Sequence, residues 1–149
     1  MEVILTINKE AVYDEVTKTT EYTGAKMDDE HAYEKIMITE EDNIMLERFW
    51  DECKNMVCNS LKKVLVQEYE TENEYTLTLN VSEAFNKALE SSMQRSLFSF
   101  FVMNIIAKWY MITNKDEAAR CASEAATDME DVMRKAFHKE RPTRPIYTN

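Results

Sequence analysis

Apolar and polar residues alternate most cleanly between Tyr75 and Val81. Tyr75, Leu77, Leu79 and Val81 take one side, and Thr76, Thr78 and Asn80 the other. That two-residue period belongs to a half-buried strand, predicted over residues 75–80. The stretch EVILTIN sets Val3, Leu5 and Ile7 against polar or smaller neighbours and predicts a second short strand over 2–7. The two are placed to pair. A two-stranded sheet is marginal by itself, so helices or another chain must pack against it.

Elsewhere the period is helical. Leu46, Phe49, Trp50, Cys53, Val57, Leu61, Val64 and Leu65 recur at three and four, predicting a helix over about 39–68. Thr39 and Asp42 have capping-box spacing, and Glu40, Glu41 and Asp42 suit a positive helix start. A second long helix is predicted over about 82–112, capped by Ser82. A third follows over about 114–138, with Asn114 and Glu117 as its capping box. Its apolar face is Ala118, Ala122, Ala125, Met129, Val132, Met133 and Ala136. So short a connection makes the last two helices antiparallel neighbours. Near the N-terminus, Asn8 can cap a short helix carrying Val12, Tyr13, Val16 and Thr20, ended by Gly24. The run VTKTTEYT also holds strand-forming residues, so residues 9–23 read as helix or strand. MDDEHAYEKIMI is a loop leading into a short extended piece, and ETENE is a turn. The expected fold is mainly α: a helical bundle of three long helices, a short N-terminal helix and two short strands. One domain is expected over 1–140, followed by an extended C-terminal arm over 141–149.

Composition narrows the picture. Gly24 is the one glycine, and Pro142 and Pro145 are the prolines. Phosphate-cradling loops need several glycines, which excludes a P-loop and a Rossmann fingerprint. Hydrophobic residues make up 44% of the chain, enough for a core rather than a disordered acidic tail. Ten methionines suit adaptable packing. The run SLFSFFVMNIIAKWYMI is shorter than the ~20 residues of a spanning helix. Asn104 and Lys108 interrupt it, so it reads as a buried helix and no membrane is expected. The opening residues carry no secretory signal pattern. Cys53, Cys58 and Cys121 sit in helical patterns and read as reduced, structural residues of an intracellular chain.

Recognisable catalytic chemistry is sparse. Cys53 and Cys58 point apart on a helix, and His31 and His138 have no ligand-spaced partner. The DDEH run at Asp28–His31 reads as a solvated loop. Glu-x-x-His and Glu-x-x-Glu pairs are absent from the sequence. Asp128-x-x-Asp131 is the nearest approach to the magnesium-holding pairs of all-helical nucleotide hydrolases, and reads as an exposed helix face. Neither the serines nor the cysteines have a nucleophile motif. The expectation is a non-enzymatic protein with no cofactor and no metal.

The C-terminus departs from the rest. Arg134, Lys135, Lys139, Arg141 and Arg144 face Glu140 alone after residue 133, a +4 segment that leaves −14 for the remainder of a chain of net −10. Basic residues in a helix's last turn favour its negative end. That does not cover RPTRPIYTN, where each arginine precedes a proline and is held extended. Arg141, Pro142, Arg144, Pro145, Ile146 and Tyr147 form a basic, apolar-ended arm suited to a groove or an acidic surface. The strand residues Tyr75, Leu77 and Leu79 are a second candidate interface, available for pairing across subunits. The acidic body disfavours DNA, leaving at most a local contact through the arm.

From Thr39 to Asn149, a small acidic helical chain with a short strand and an extended basic C-terminal arm resembles the ring-forming head–tail connector proteins of tailed-phage necks. The resemblance implies a structural role in a homo-oligomeric ring between a portal and a tail. It implies a virion location after assembly in the host cytoplasm; without it, the expected location is cytoplasmic. The other readings are a small acidic protein-binding module, with nucleic-acid mimicry as one form of it, and a magnesium-dependent nucleotide hydrolase.

Overall fold

The structure, a computed structural model, describes residues 1–26 and 37–137. Among these the fold is mainly helical, with four α-helices and a small antiparallel sheet. The chain order is β1 (Glu2–Asn8), α1 (Lys9–Lys26), a 3-10 turn (Glu40–Asp42), α2 (Asn43–Leu61), β2 (Leu65–Glu70), β3 (Glu74–Asn80), a second 3-10 turn (Lys87–Leu89), α3 (Glu90–Thr113) and α4 (Lys115–Ala136).

The alternation read in the sequence becomes the sheet. Val3, Leu5 and Ile7 of β1 and Tyr75, Leu77 and Leu79 of β3 are all buried on one face. The strands pair antiparallel, Glu2 opposite Asn80 and Asn8 opposite Glu74. The sheet has a third strand, in the order β1-β3-β2. β2 pairs antiparallel with β3 and carries an irregularity between Leu65 and Gln67.

Against the buried face lies α3, whose Phe100, Phe101, Ile105, Ile106 and Tyr110 are covered on nearly every side. It contacts β1, α1, α2 and α4 and is the hub of the core. By length and composition alone this helix could cross a membrane; here its neighbours enclose much of it. Its polar residues are met individually: the Lys108 Nζ reaches Glu52 at 2.8 Å, and the Asn104 amide donates to Cys53 Sγ at 3.1 Å.

Several boundaries differ from expectation. α1 is helix, not strand, and it is not short: Val12, Val16, Thr20 and Gly24 form a buried stripe. Gly24 does not end it, because a buried glycine here serves close packing rather than a turn. The helix predicted to 68 stops at Leu61, where the Val64 N–H turns back to the Leu61 carbonyl at 3.0 Å. The second long helix starts at Glu90, not 82. Ser82 accepts from the Ala84 N–H (3.1 Å) and Asn86 from the Ala88 N–H (3.0 Å), so the intervening chain is spent on turns. On α4, Cys121 is buried and Ala122 is exposed. At its start, the Glu117 carboxylate accepts from Arg120 at 2.8 Å instead of reaching back to form a capping box.

The β1 edge is capped at Thr6 by a side chain. The Gln94 amide accepts from the Thr6 N–H at 2.8 Å and donates to the Thr6 carbonyl. It thereby takes two of the hydrogen bonds that a fourth strand would make, those at Thr6.

Candidate interaction surface

β1 runs into α1 without a loop, and Asn8 caps the helix by accepting from the Ala11 N–H at 2.8 Å. The Lys9 N–H donates to the Asn73 carbonyl at 2.7 Å, tying the first turn of α1 to the β2–β3 turn. On the other side, Asp42 accepts from the Thr39 N–H (2.9 Å) and hydroxyl (3.1 Å), the expected capping pair, fixing the chain ahead of α2. Between these walls lies a cleft of about 710 Å³. Tyr13, Ile38 and Leu46 supply its apolar lining, and Glu10, Asp14, Glu40, Glu47 and Glu72 its acidic rim. Among the described residues Lys9 is the one cation lining it, and Glu47 holds it at 2.6 Å. Glu47 also accepts from the Tyr13 hydroxyl at 3.0 Å. Burial, reinforced by that carboxylate, pushes the Tyr13 phenol far above its ordinary range, so it stays protonated. Among the described residues Glu10, Asp14, Glu40 and Glu72 have no ion-pair partner, and all four are exposed. The cleft therefore presents surplus negative charge above an apolar base.

A second set of carboxylates fastens β2 to α2. Trp50 Nε1 donates to Glu70 at 3.0 Å, and Lys54 bridges Glu70 and Asp51. Tyr75 and Cys58 both donate to Glu68, at 2.6 and 2.8 Å. The Cys58 and Tyr75 hydrogen bonds hold the Glu68 carboxyl below its usual range, while burial first, then Glu68, raise the Cys58 thiol. Burial pushes Cys53 up to about 12. Protonated thiols are poor nucleophiles, so these two act as donor and filler.

Asp128 and Asp131 do not form an exposed face. They are half-buried along the seam between α3 and α4, where Ser99 donates to Asp128 and Ser96 to Asp131, each at 2.6 Å. Lys135 completes the row by donating to Asp131 and Ser92. The spacing 92, 96, 99 on α3 opposes 135, 131, 128 on α4, as antiparallel helices require. Burial raises the Asp128 carboxyl, whereas Lys135 and then Ser96 lower that of Asp131.

Opposite effects follow. A lowered carboxyl contributes stability above its unfolded pKa and loses it as pH falls through the folded one; a raised carboxyl works the other way. Asp131→Asn is expected to cost about 0.5–1 kcal/mol at neutral pH, given partial exposure. Asp128→Asn, which keeps an acceptor for Ser99, should be neutral or slightly stabilising. Thermal unfolding across a falling pH series checks this: the cost of Asp131→Asn should shrink as pH falls through the folded pKa of Asp131.

The interface expected at Tyr75, Leu77 and Leu79 is corrected. All three are buried in the chain's own core, and β3 is the central strand with β1 and β2 on its two sides. It has no edge left for another subunit. Arg141, Pro142, Arg144, Pro145, Ile146 and Tyr147 lie outside the described residues, as do His31, His138 and the DDEH run. Sequence reasoning missed the cleft because its walls come from segments far apart in the chain.

Among the described residues no group of three or more His, Cys, Asp or Glu side chains could hold a metal ion. In comparisons with known proteins, no family model, no curated protein and no solved structure matches the chain.

Proposed function

We propose that this chain is a structural assembly protein, a subunit of a head–tail connector ring of the kind that joins portal to tail. In this reading the longer helices form the bundled body, like copies sit side by side, and the arm over 141–149 reaches a neighbour. The virion is its place of work, and its partners are further copies and a portal. One observation carries the reading: residues 1–133 sum to −14 and residues 134–149 to +4, with Arg141 and Arg144 on the arm itself. Opposite charges on separate parts of one chain attract between copies as readily as within one. The engagement of Asp128 and Asp131 in helix packing further supports a non-catalytic role.

The test is the solution mass of the full chain and of a chain lacking 141–149, by light scattering across concentration. The full chain is expected to form a discrete high-order oligomer. The shortened chain should be monomeric with unchanged helix content, because among the described residues the core is complete from Val3 to Ala136. Equal masses for the two would overturn the arm's role in assembly.

A further inference from the structure

We propose that the cleft between α1 and the start of α2 is the seat of the C-terminal arm, supplied by a neighbouring copy; this rests on the assembly reading above. As the described residues line it, the cleft is acidic, and after Glu47 is matched with Lys9 it retains Glu10, Asp14, Glu40 and Glu72. Its floor is apolar, through Tyr13, Ile38 and Leu46. The arm has the complementary composition: Lys139, Arg141 and Arg144 precede Ile146 and Tyr147. Arginine forks match carboxylates in pairs, and tyrosine adds apolar area at low entropic cost. The prolines favour an extended arm and remove two backbone donors, which suits a groove better than strand pairing.

Length permits the connection. α4 ends at Ala136, and residues 138–149 span at most about 40 Å when extended. That is enough to leave one body and enter the next. Several other acidic side chains are tied up within the body: Glu68 and Glu70 hold β2, Asp128 and Asp131 hold α4, and Glu52 holds Lys108. In the cleft, four uncommitted carboxylates adjoin apolar surface.

The experiment uses the full chain carrying Arg141→Glu and Arg144→Glu, so that its own arm is disabled. A fluorescent peptide of residues 139–149 is titrated into it and followed by anisotropy. Binding is expected to weaken about tenfold or more between roughly 0.05 and 0.5 M salt, since the contacts are exposed ion pairs. Glu10→Lys with Asp14→Lys should abolish it, and the milder Glu10→Gln with Asp14→Asn should weaken it. Glu2→Lys with Glu130→Lys, equal in charge but placed elsewhere, should leave it unchanged. A Tyr147→Ala peptide should bind at least several-fold more weakly.

Loss of binding in the cleft variants alone, with their helical circular dichroism intact, carries the proposal. Equal loss in the control variant would mean diffuse attraction and overturn it, as would no binding at all. If the peptide binds in the cleft while the wild-type chain stays monomeric, the arm closes on its own body. That outcome overturns the neighbour-clasp and the assembly reading together. An oligomer that needs the arm but ignores the cleft variants overturns this inference and leaves assembly standing.

Discussion

Replacing Trp50 with alanine is expected to cost about 3–5 kcal/mol of unfolding free energy, the largest loss from any one substitution considered for this fold. Trp50 is fully buried where α2 meets the sheet and α3. Its ring lies 4.8 Å from that of Phe101, 6.2 Å from Tyr13 and 6.4 Å from Tyr75. The last two are edge-on, the favourable aromatic geometry. The indole N–H also donates to Glu70, so alanine would leave a cavity and remove one tie on β2 together. Lys9 would lose one of its two rings, having stood 5.6 Å from that of Trp50. Trp50→Phe separates the contributions: it keeps most of the packing and should recover more than half the loss. Urea unfolding of the three proteins gives the numbers. A cost below about 1.5 kcal/mol for alanine would mean that the aromatic cluster is not the centre of the core.

The second large effect is expected from Gln94→Leu. The replacement is close in volume, so little packing is lost. What goes is the pair of hydrogen bonds to the Thr6 N–H and carbonyl. Each part-buried backbone group left without a partner costs about 1–3 kcal/mol, so about 2–4 kcal/mol is expected in total. A second consequence is qualitative. With its side-chain cover gone, β1 presents an edge on which another chain can add. The variant should therefore melt earlier, self-associate on light scattering, and show faster hydrogen exchange at the Thr6 amide. An unchanged exchange rate would mean that something other than Gln94 protects this edge.

The parts of the fold written in short-range periodicity were legible beforehand. β1 and β3 alternate because one face is dry, and α4 shows its stripe because one side meets α3. β2 was hidden for a physical reason. Apart from the half-buried Leu65, its residues are exposed, so LVQEYE has no apolar alternation to betray it. Its glutamates instead turn to Lys54, Cys58, Trp50 and Tyr75, partners that no local spacing predicts. Val64 and Leu65 continued the helical count of α2 by coincidence, since a turn intervenes at Lys62. The candidate site was less legible still. Charge separation is visible in composition, but the cleft draws Glu10 and Asp14 from α1, Glu40 from the first 3-10 turn and Glu72 from the β2–β3 turn. The pairing of β1 with β3, the Lys9–Asn73 bond beside it, and the bonds of Glu47 to Lys9 and Tyr13 bring those segments together.

That pairing also sets an order of events at the ribosome. β2 and β3 are joined by a turn and can close soon after emerging, but β1 must wait for a partner whose Asn80 lies opposite Glu2. Its apolar side, Val3, Leu5 and Ile7, also needs the hub helix ending at Thr113 for cover. At ~5–20 residues per second, translation leaves this strand unsheltered for on the order of ten seconds. Its early guardian must be α1, the one described helix made within that interval directly behind it, or a chaperone that recognises an apolar strand.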